Sequence, residues 1–237
     1  MPIPKVIYQT WVTKDLPETV QVVRANILKR NPGFDMILYD DDDMDTFIRT
    51  TCDPSVYQAY SQLNVGAAKA DLWRYCILYE YGGIYLDMDA EILRPLDELI
   101  EPTDDCIITR ENNDNGTFNN WILMFQKGHP ILKEAIDLCV YNICNRTTID
   151  ISLLTGPGGP FSNAVNNVMM PYYSKLTDLY YEDDNVINVI LNKIGNKVRC
   201  RFYGIDMGTF AKWKHDAVDD LYYGHVYWPY EKKIWKN

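Results

Sequence analysis

The sequence predicts an α/β protein with a mixed, mainly parallel central sheet flanked by helices. Runs of β-branched and aromatic residues alternate with longer helical stretches, a pattern typical of strands joined by crossover helices. The chain has 237 residues, of which 47% are hydrophobic, and this is enough to bury a substantial core. No repeat, low-complexity tract or linker interrupts it, so we expect one domain over residues 1–237.

The N-terminal part predicts a strand, a helix and a second strand. Residues 5–11 are rich in β-branched and aromatic side chains and predict the first strand. Residues 17–30 predict the helix, because a proline and a glutamate suit its first turn and Asn-Pro-Gly at 31–33 ends it. Residues 34–39 predict the second strand.

Four consecutive aspartates occupy positions 40–43. A calcium-binding loop is one interpretation, but the glycine and the terminal glutamate of such loops are missing. Carboxylates are favourable where the helix dipole is positive, so we expect the run to begin an acidic helix instead.

The remaining elements follow the same alternation. Residues 65–81 predict a long helix, which Gly82 and Gly83 end. Residues 84–89 predict the following strand, with apolar side chains directed to the core and acidic side chains to the opposite face. The further predicted segments are strands at 106–110 and 121–125, a helix at 130–141, a helical stretch at 161–168 and short strands around 198–203 and 224–228.

Charge, cysteine spacing and hydropathy bear on the class of protein and on its location. The net charge of -10 argues against a nucleic-acid binder, although one divalent cation would still allow a small anionic ligand. The six cysteines show no zinc-type spacing, so we expect buried thiols. Neither an export signal nor an apolar stretch long enough to span a membrane occurs, so we expect a soluble cytoplasmic protein, free or peripheral to a membrane.

Four charged residues within the segment 67–89 carry the clearest chemistry. Asp71 and Arg74 are three residues apart and share a helix face, and Asp87 and Asp89 are two apart and point the same way on a strand. Two such carboxylates can hold a divalent cation that neutralises a diphosphate leaving group. Arg74 can bind phosphate or carboxylate oxygens, and Asp71 can accept hydrogen bonds from sugar hydroxyls. Either pair alone is also a common feature of a solvated protein surface, so the prediction depends on the combination of the two pairs.

The segment 67–89 resembles the DXD-containing sugar-binding region of glycosyltransferase family 32, which includes yeast-type initiating mannosyltransferases and bacterial capsule enzymes. It is more distantly similar to the catalytic domain of the clostridial glucosylating toxins. Residues 3–11 resemble the first strand of the family, residues 39–43 its second strand and turn, and residues 155–157 a later loop. The strong match covers about the first 90 residues.

The resemblance implies a GT-A fold, a sugar-nucleotide donor, a Mn²⁺ or Mg²⁺ ion and transfer with retention of anomeric configuration. It implies that Asp87 lies near the donor ribose and the metal, and that Asp89 is a direct metal ligand. Asp71 and Arg74 match the positions that hold the donor sugar, and Arg74 also extends toward the diphosphate. On this basis we expect Asp87, Asp89 and Arg74 to be the catalytic residues.

Three more aromatic or imidazole side chains are candidates through the same resemblance. Trp11 lies where a ring would approach the nucleotide base, although a core tryptophan after a strand is an alternative. His225 and Trp228 match the closing histidine and tryptophan of the family, as a third metal ligand and a cover for the diphosphate. Tyr227 replaces the serine that the family often has there, and an ordinary structural histidine remains an alternative for His225.

Weaker candidates lie between these groups. Asn119 and Asn120 are interpreted either as contacts to sugar hydroxyls or as solvent-exposed loop amides. Residues 155–160 offer backbone amides to a closely approached ligand, and a plain turn is the alternative. His129 is expected to begin a helix rather than to belong to a site.

The sequence therefore predicts a metal-dependent retaining glycosyltransferase that moves a hexose to a hydroxyl of a glycan or another acceptor. The similarity to the clostridial toxins implies a UDP-hexose donor such as UDP-glucose, which is slightly favoured, and the similarity to the mannosyltransferases implies GDP-mannose. A metal-dependent phosphoesterase or nucleotide-sugar hydrolase is an alternative, although such enzymes usually need more ligands than three histidines and one aspartate pair supply. A non-catalytic sugar-binding module is another, but it would not need an arginine placed to meet a diphosphate.

Overall fold

The computed structural model describes residues 2–110, 117–173, 186–193, 196–203, 211–212 and 234–236. The strands within these ranges are β1 (Val6–Thr10), β2 (Asp35–Tyr39), β3 (Gly83–Leu86), β4 (Glu91–Ile92), β5 (Cys106–Arg110), β6 (Phe118–Phe125), β7 (Val186–Lys193), β8 (Asn196–Tyr203) and β9 (Ala211–Lys212). The α-helices are α1 (Glu18–Arg30), α2 (Asp41–Thr51), α3 (Pro54–Tyr60), α4 (Gly66–Tyr81), α5 (Pro130–Asn145), α6 (Ile151–Leu154) and α7 (Ser162–Tyr173). A 3-10 turn at Leu96–Glu98 and a π-helical turn at Pro157–Phe161 complete the set.

The main sheet contains seven of the described strands in the order β2-β1-β3-β6-β5-β8-β7. β1 is parallel to β2 and β3, and β5 is parallel to β8. β6 is antiparallel to β3 and β5, and β7 is antiparallel to β8. Five of the seven strands therefore run in one direction, which confirms the predicted mixed, mainly parallel sheet. β4 and β9 form a separate antiparallel pair.

Hydrophobic clusters cover both faces of the sheet. Neighbouring residues of β1 point to opposite faces. Tyr8 lies in the cluster formed with α2 to α5 and α7, and Ile7 lies in the cluster formed with α1. Tyr85 and Ile84 of the paired strand β3 alternate in the same way. Among the helices that the structure describes, none combines the length and apolar composition needed to span a bilayer.

The aspartate run begins α2, as predicted. Asp40 accepts a hydrogen bond at 2.9 Å from the backbone N–H of Asp43, whose own carboxylate accepts one at 3.3 Å from the N–H of Asp40. This reciprocal capping box satisfies two N–H groups that the first helical turn would otherwise leave unpaired. Lys14 forms a 2.7 Å ion pair with Asp43 and lowers the pKa of that carboxyl group.

The prediction of a strand over residues 84–89 is wrong at its C-terminal end. β3 ends at Leu86, because the carbonyl of Asp87 accepts a hydrogen bond at 3.1 Å from Ala90 and closes a turn. Asp87 and Asp89 therefore lie in a turn rather than on a strand. Met88 is still buried in the α1-side cluster, as predicted. Helices α3 and α6 and strands β4, β7 and β9 were not predicted, and α5 continues to Asn145 rather than ending at 141.

Gly82 and Gly83 join α4 to β3 at a place where a side chain does not fit. Their φ angles are +69° and +109°, values that L-residues rarely adopt. A Cβ on Gly83 would lie 2.8 Å from the carbonyl oxygen of Val6 in the neighbouring strand. This junction sets the direction in which β3 leaves the helix, and hence the position of the acidic turn.

We expect Gly83→Ala to lower the free energy of unfolding by about 1–3 kcal/mol, because alanine there combines backbone strain with a steric clash. Gly66→Ala at the start of α4 is the matched control, since no atom lies within 4 Å of the position that the alanine methyl group would take there. Urea unfolding of both variants measures the difference. Equal stability of the two variants would show that the junction is not strained.

Candidate active site

Arg74 is the centre of a buried polar cluster. Its side chain is 7% exposed and lies between two carboxylates, with Nη2 3.2 Å from Oδ1 of Asp71 and Nη1 3.4 Å from Oδ1 of Asp87. Nη1 also donates to the carbonyl of Asn120 at 2.8 Å, and Nε donates to the carbonyl of Ala70 at 3.3 Å. The guanidinium group thus joins α4, the turn after β3 and strand β6.

Tyr85 supports both members of the Arg74–Asp87 pair. The guanidinium group lies over the Tyr85 ring at 4.3 Å from its centroid, a favourable cation–π position. The Tyr85 hydroxyl donates to Oδ1 of Asp87 at 2.5 Å. Burial alone would lower the pKa of Arg74, but Tyr85, Asp87 and Asp71 together raise it above its usual range. Arg74 is therefore a permanent cation in this site.

Asp71 is held through both of its carboxylate oxygens. Oδ1 accepts a hydrogen bond from the Asn120 side-chain amide at 3.0 Å, in addition to its contact with Arg74. Oδ2 accepts a hydrogen bond from the Thr155 hydroxyl at 3.1 Å. Burial raises the pKa of Asp71, whereas Arg74 and the two hydrogen bonds act in the opposite direction. Because both of its oxygens are bonded, the Asp71 side chain is fixed in one orientation.

The two carboxylate oxygens of Asp87 have different surroundings. Oδ1 faces Arg74 and Tyr85, whereas the described part of the chain offers Oδ2 no hydrogen bond or ion pair. The Asp87 side chain is 21% exposed, and Asp89 follows it in the same turn with 4% exposure. Burial raises the pKa of Asp87, and Arg74 opposes that effect.

The residues of this turn fit a hard divalent cation. Carboxylate oxygens are the ligands that Mg²⁺ and Mn²⁺ prefer, and Asp87 Oδ2 and Asp89 supply them. The described residues contain no cluster of three or more Asp, Glu, His or Cys side chains that would form an all-protein cage. Mg²⁺ sites commonly have one or two carboxylates and complete their shell with water and phosphate oxygens.

A bulge in β6 brings the backbone into the site. Between the paired residues Ile108–Leu123 and Arg110–Phe118, β5 advances by two residues whereas β6 advances by five. Within this segment the carbonyl of Asn120 accepts a hydrogen bond from Arg74, and the carbonyl of Trp121, which continues the pairing of β6 with β3, accepts one from the N–H of Asp87, at 2.8 Å in both cases. Bulges often redirect groups near functional sites in this way. The predicted strand at 121–125 began within the bulged segment and left out the first three residues of β6.

Other residues singled out in the sequence lie close to the cluster. Asn119 and Asn120 are each 7% exposed, so the alternative of solvent-exposed loop amides is wrong for both. Residues 157–161 form a π-helical turn rather than a plain loop, and Thr155 before it is fully buried. Individual roles for Thr155 and Tyr85 were not predicted from the sequence; the spacing of Tyr85 two residues before Asp87 was the available signal.

The remaining candidates are separate from the cluster or lie outside the described residues. Trp11 is 7% exposed and packs in the α1-side cluster, which favours the core alternative for its ring. His129 is fully buried and caps α5 by accepting the N–H of Ile131, as expected for a helix start, and burial lowers its pKa to about 3. His225 and Trp228 lie outside the described residues, so their roles stay predictions.

The region that carries Asp71, Arg74, Asp87 and Asp89 matches a known family. Residues 17–105 match the family model described as "Glycosyltransferase sugar-binding region containing DXD motif". Residues 17–105 are thus similar to a glycosyltransferase sugar-binding region. This match confirms the family resemblance that the sequence analysis found in residues 67–89.

Curated relatives are similar to about half of the chain. Inositol phosphoceramide mannosyltransferase 3 of Schizosaccharomyces pombe is 36% identical over 134 residues, which cover 56% of this chain and 36% of that protein. Mannosyl phosphorylinositol ceramide synthase CSH1 of Saccharomyces cerevisiae is 37% identical over 134 residues, covering 56% of this chain and 34% of that protein. The chain thus spans about a third of the length of these two relatives.

A solved structure supports the fold around the sugar-binding region. PaToxG glycosyltransferase has a TM-score of 0.61 and 23% sequence identity, and the superposition covers 75% of this chain and 74% of that chain. The GT-A type of fold, expected from the sequence, is therefore confirmed.

We expect Arg74→Met to lower the free energy of unfolding by about 3–5 kcal/mol, because it leaves Asp71 and Asp87 buried beside each other without their cation. Arg94→Met is the matched control, since Arg94 forms an ion pair with Glu98 in which both side chains are nearly half exposed. The control should change stability by less than about 1 kcal/mol. Urea unfolding measures the stability of both variants. An equal loss of stability in the two would contradict the conclusion that Arg74 compensates two buried carboxylates.

Proposed function

We propose that this chain is a metal-dependent, retaining glycosyltransferase that moves a hexose from a nucleotide-diphosphate sugar to a hydroxyl acceptor. The observation that carries the proposal concerns Asp87: Arg74 and Tyr85 hold its Oδ1, whereas the described residues leave its Oδ2 without a hydrogen bond or ion pair, two positions before Asp89 in the same turn. The match of residues 17–105 to a glycosyltransferase sugar-binding region supports the same reaction. We also propose that residues 1–237 form a single catalytic domain.

We assign the metal site to Asp87 and Asp89, with His225 as a third ligand. A bound Mn²⁺ or Mg²⁺ ion supplies Lewis-acid neutralisation of the charge that develops on a departing diphosphate. Arg74 and Tyr85 orient Asp87, so its carboxylate needs little reorganisation on binding, and Asp89 lies in the same tight turn of the main chain. Such preorganisation is a major source of electrostatic stabilisation in active sites.

Arg74 acts in this proposal mainly by orienting the carboxylates. The structure gives its N–H groups four contacts with protein oxygens, on Asp71, Asp87, Asn120 and Ala70. These contacts occupy most of the N–H groups of Arg74. Direct binding of the diphosphate by Arg74 therefore stays a prediction. Its charge nevertheless lies next to Asp87 and adds positive potential on the side where the leaving group accumulates negative charge.

Asp71 is the proposed contact for the donor sugar. A carboxylate has about four acceptor positions, and Asn120, Arg74 and Thr155 occupy three of them. The remaining position can accept one sugar hydroxyl. Contacts of Trp11 with the base and of Trp228 with the diphosphate stay predictions.

For the chemical step, we propose that the acceptor hydroxyl attacks on the face from which the diphosphate departs. The sugar develops oxocarbenium character, and a departing phosphate oxygen takes the proton of the acceptor. This route retains the anomeric configuration without a covalent intermediate. We assign no side chain as a nucleophile.

The names of the relatives bear on the donor and the acceptor. Both relatives described above are named for mannosyl transfer to an inositol phosphoceramide. We therefore propose GDP-mannose as the first donor to test and a UDP-hexose, which the sequence alone slightly favoured, as the second. The acceptor is a hydroxyl of a glycan or of another polyol, and an inositol headgroup is one such polyol. A cytoplasmic location stays a prediction.

A panel of nucleotide sugars incubated with the protein and Mn²⁺ tests the proposal. We expect slow, selective hydrolysis of one donor, which EDTA abolishes and Mn²⁺ restores, because water replaces the missing acceptor. A phosphoesterase would instead cleave simple phosphoesters, and a sugar-binding module would bind the sugar without requiring the nucleotide.

Asp89→Asn gives the matched variant in the same assay. We expect donor turnover to fall by at least about 100-fold, because the carboxylate charge that holds the cation is lost while the side-chain volume is kept. Asp97→Asn is the control, since Asp97 is an exposed aspartate that pairs only with Lys5 in the described structure. Full metal-stimulated turnover in Asp89→Asn would end the assignment.

A further inference from the structure

Residues 155–162 form a segment that bridges α4 and β6 next to the site. Phe161 stacks on Tyr75 of α4 with ring centroids 5.6 Å apart and planes 6° from parallel. The hydroxyl oxygen of Ser162 accepts the backbone N–H of Phe118 in β6 at 2.9 Å. The segment is therefore fixed on both of the elements that carry Asp71 and its partners.

Thr155, at the start of this segment, contacts Asp71 directly. Its residue is fully buried, and its hydroxyl lies 3.1 Å from Oδ2 of Asp71 and 3.4 Å from the carbonyl of Ile151. A hydroxyl has one proton to donate, and the shorter bond to an ionised acceptor is the stronger of the two. In the structure no other described group donates to Oδ2 of Asp71, whereas Oδ1 has two partners.

The glycines after Thr155 allow the segment to approach this closely. A Cβ on Gly156 would lie 3.2 Å from Oδ2 of Asp71. On Gly158 it would lie 2.5 Å from the Ser152 hydroxyl, and on Gly159 it would clash with the carbonyl of Leu153. At Gly159 only glycine fits against the backbone of α6, so the segment that begins at Thr155 packs closely onto that helix.

We infer that Thr155 is a positioning residue for the donor sugar, acting through Asp71. It fixes the Asp71 carboxylate plane by holding Oδ2, so that the remaining acceptor position points to one sugar hydroxyl. The inference rests on the proposed function, because Asp71 is there the contact for the sugar. Without the Thr155 hydroxyl, only the contacts of Asn120 and Arg74 with Oδ1 still oppose rotation of the carboxylate about its terminal bond, which is a soft torsion.

Thr155→Val and Thr155→Ser test the inference, because valine keeps the volume of threonine and serine keeps its hydroxyl. We expect Thr155→Val to lower kcat/KM for the donor by about 10- to 100-fold, since Asp71 loses the hydrogen bond that orients its charged carboxylate toward the sugar. Thr155→Ser should stay within about threefold of wild type. Thr50→Val is the control, because the Thr50 hydroxyl bonds only to the carbonyl of Thr46 on the exposed side of α2.

A double-mutant cycle with Asp71→Asn separates positioning from a general structural effect. If Thr155 acts through Asp71, Thr155→Val added to Asp71→Asn should lower turnover by less than about twofold further. An equal loss in both backgrounds, or wild-type kcat/KM in folded Thr155→Val, would overturn the inference. Should Thr155→Val fail to fold, Thr155→Cys, a weaker donor, takes its place in the comparison with serine.

Crystal structures of wild type and Thr155→Val provide a readout that does not need turnover. Rotation of the Asp71 carboxylate by more than about 30° in the variant supports the inference, and an unchanged carboxylate overturns it. Absence of donor turnover in the wild-type protein would contradict the proposed function instead, so the two failures are distinguishable.

Discussion

The buried charge of Arg74 is the constraint from which the geometry of the site follows. A guanidinium group removed from water is tolerated only when nearby carboxylates and carbonyls compensate for its lost hydration. Those groups come from α4, from the turn after β3 and from the bulge of β6. The three elements must therefore meet at one point, and Gly82 and Gly83 permit the sharp change of direction that brings β3 there.

This constraint also explains why the site can be acidic and still well ordered. Asp71 and Asp87 would repel each other in a buried environment, but each contacts a different nitrogen of Arg74. Tyr85 and Thr155 add hydrogen bonds from opposite ends of the cluster. The result is a preformed set of acceptors in which Asp87 Oδ2 remains for an external partner. A diphosphate with its cation is a ligand whose charges suit that arrangement, in a protein whose net charge is -10.

Much of this could be predicted from local sequence, because the relevant periodicities are local. The three-residue spacing of Asp71 and Arg74 placed them on one helix face, and the glycine pair located the end of α4. The bulge could not be predicted, since it depends on how β6 pairs with β5; the polar pair Asn119-Asn120 ahead of an apolar strand was its only trace. The contact of Thr155 with Asp71 joins residues 84 positions apart, a separation that no sequence period encodes.

The most direct test of the account is a crystal structure of the protein with Mn²⁺ and GDP, or with UDP if the donor panel selects it. We expect the cation to contact Asp89 and Oδ2 of Asp87, while Arg74 keeps its contacts with Asp71 and Oδ1 of Asp87. A diphosphate bound elsewhere, or an Arg74 side chain that leaves both aspartates to reach it, would contradict the account.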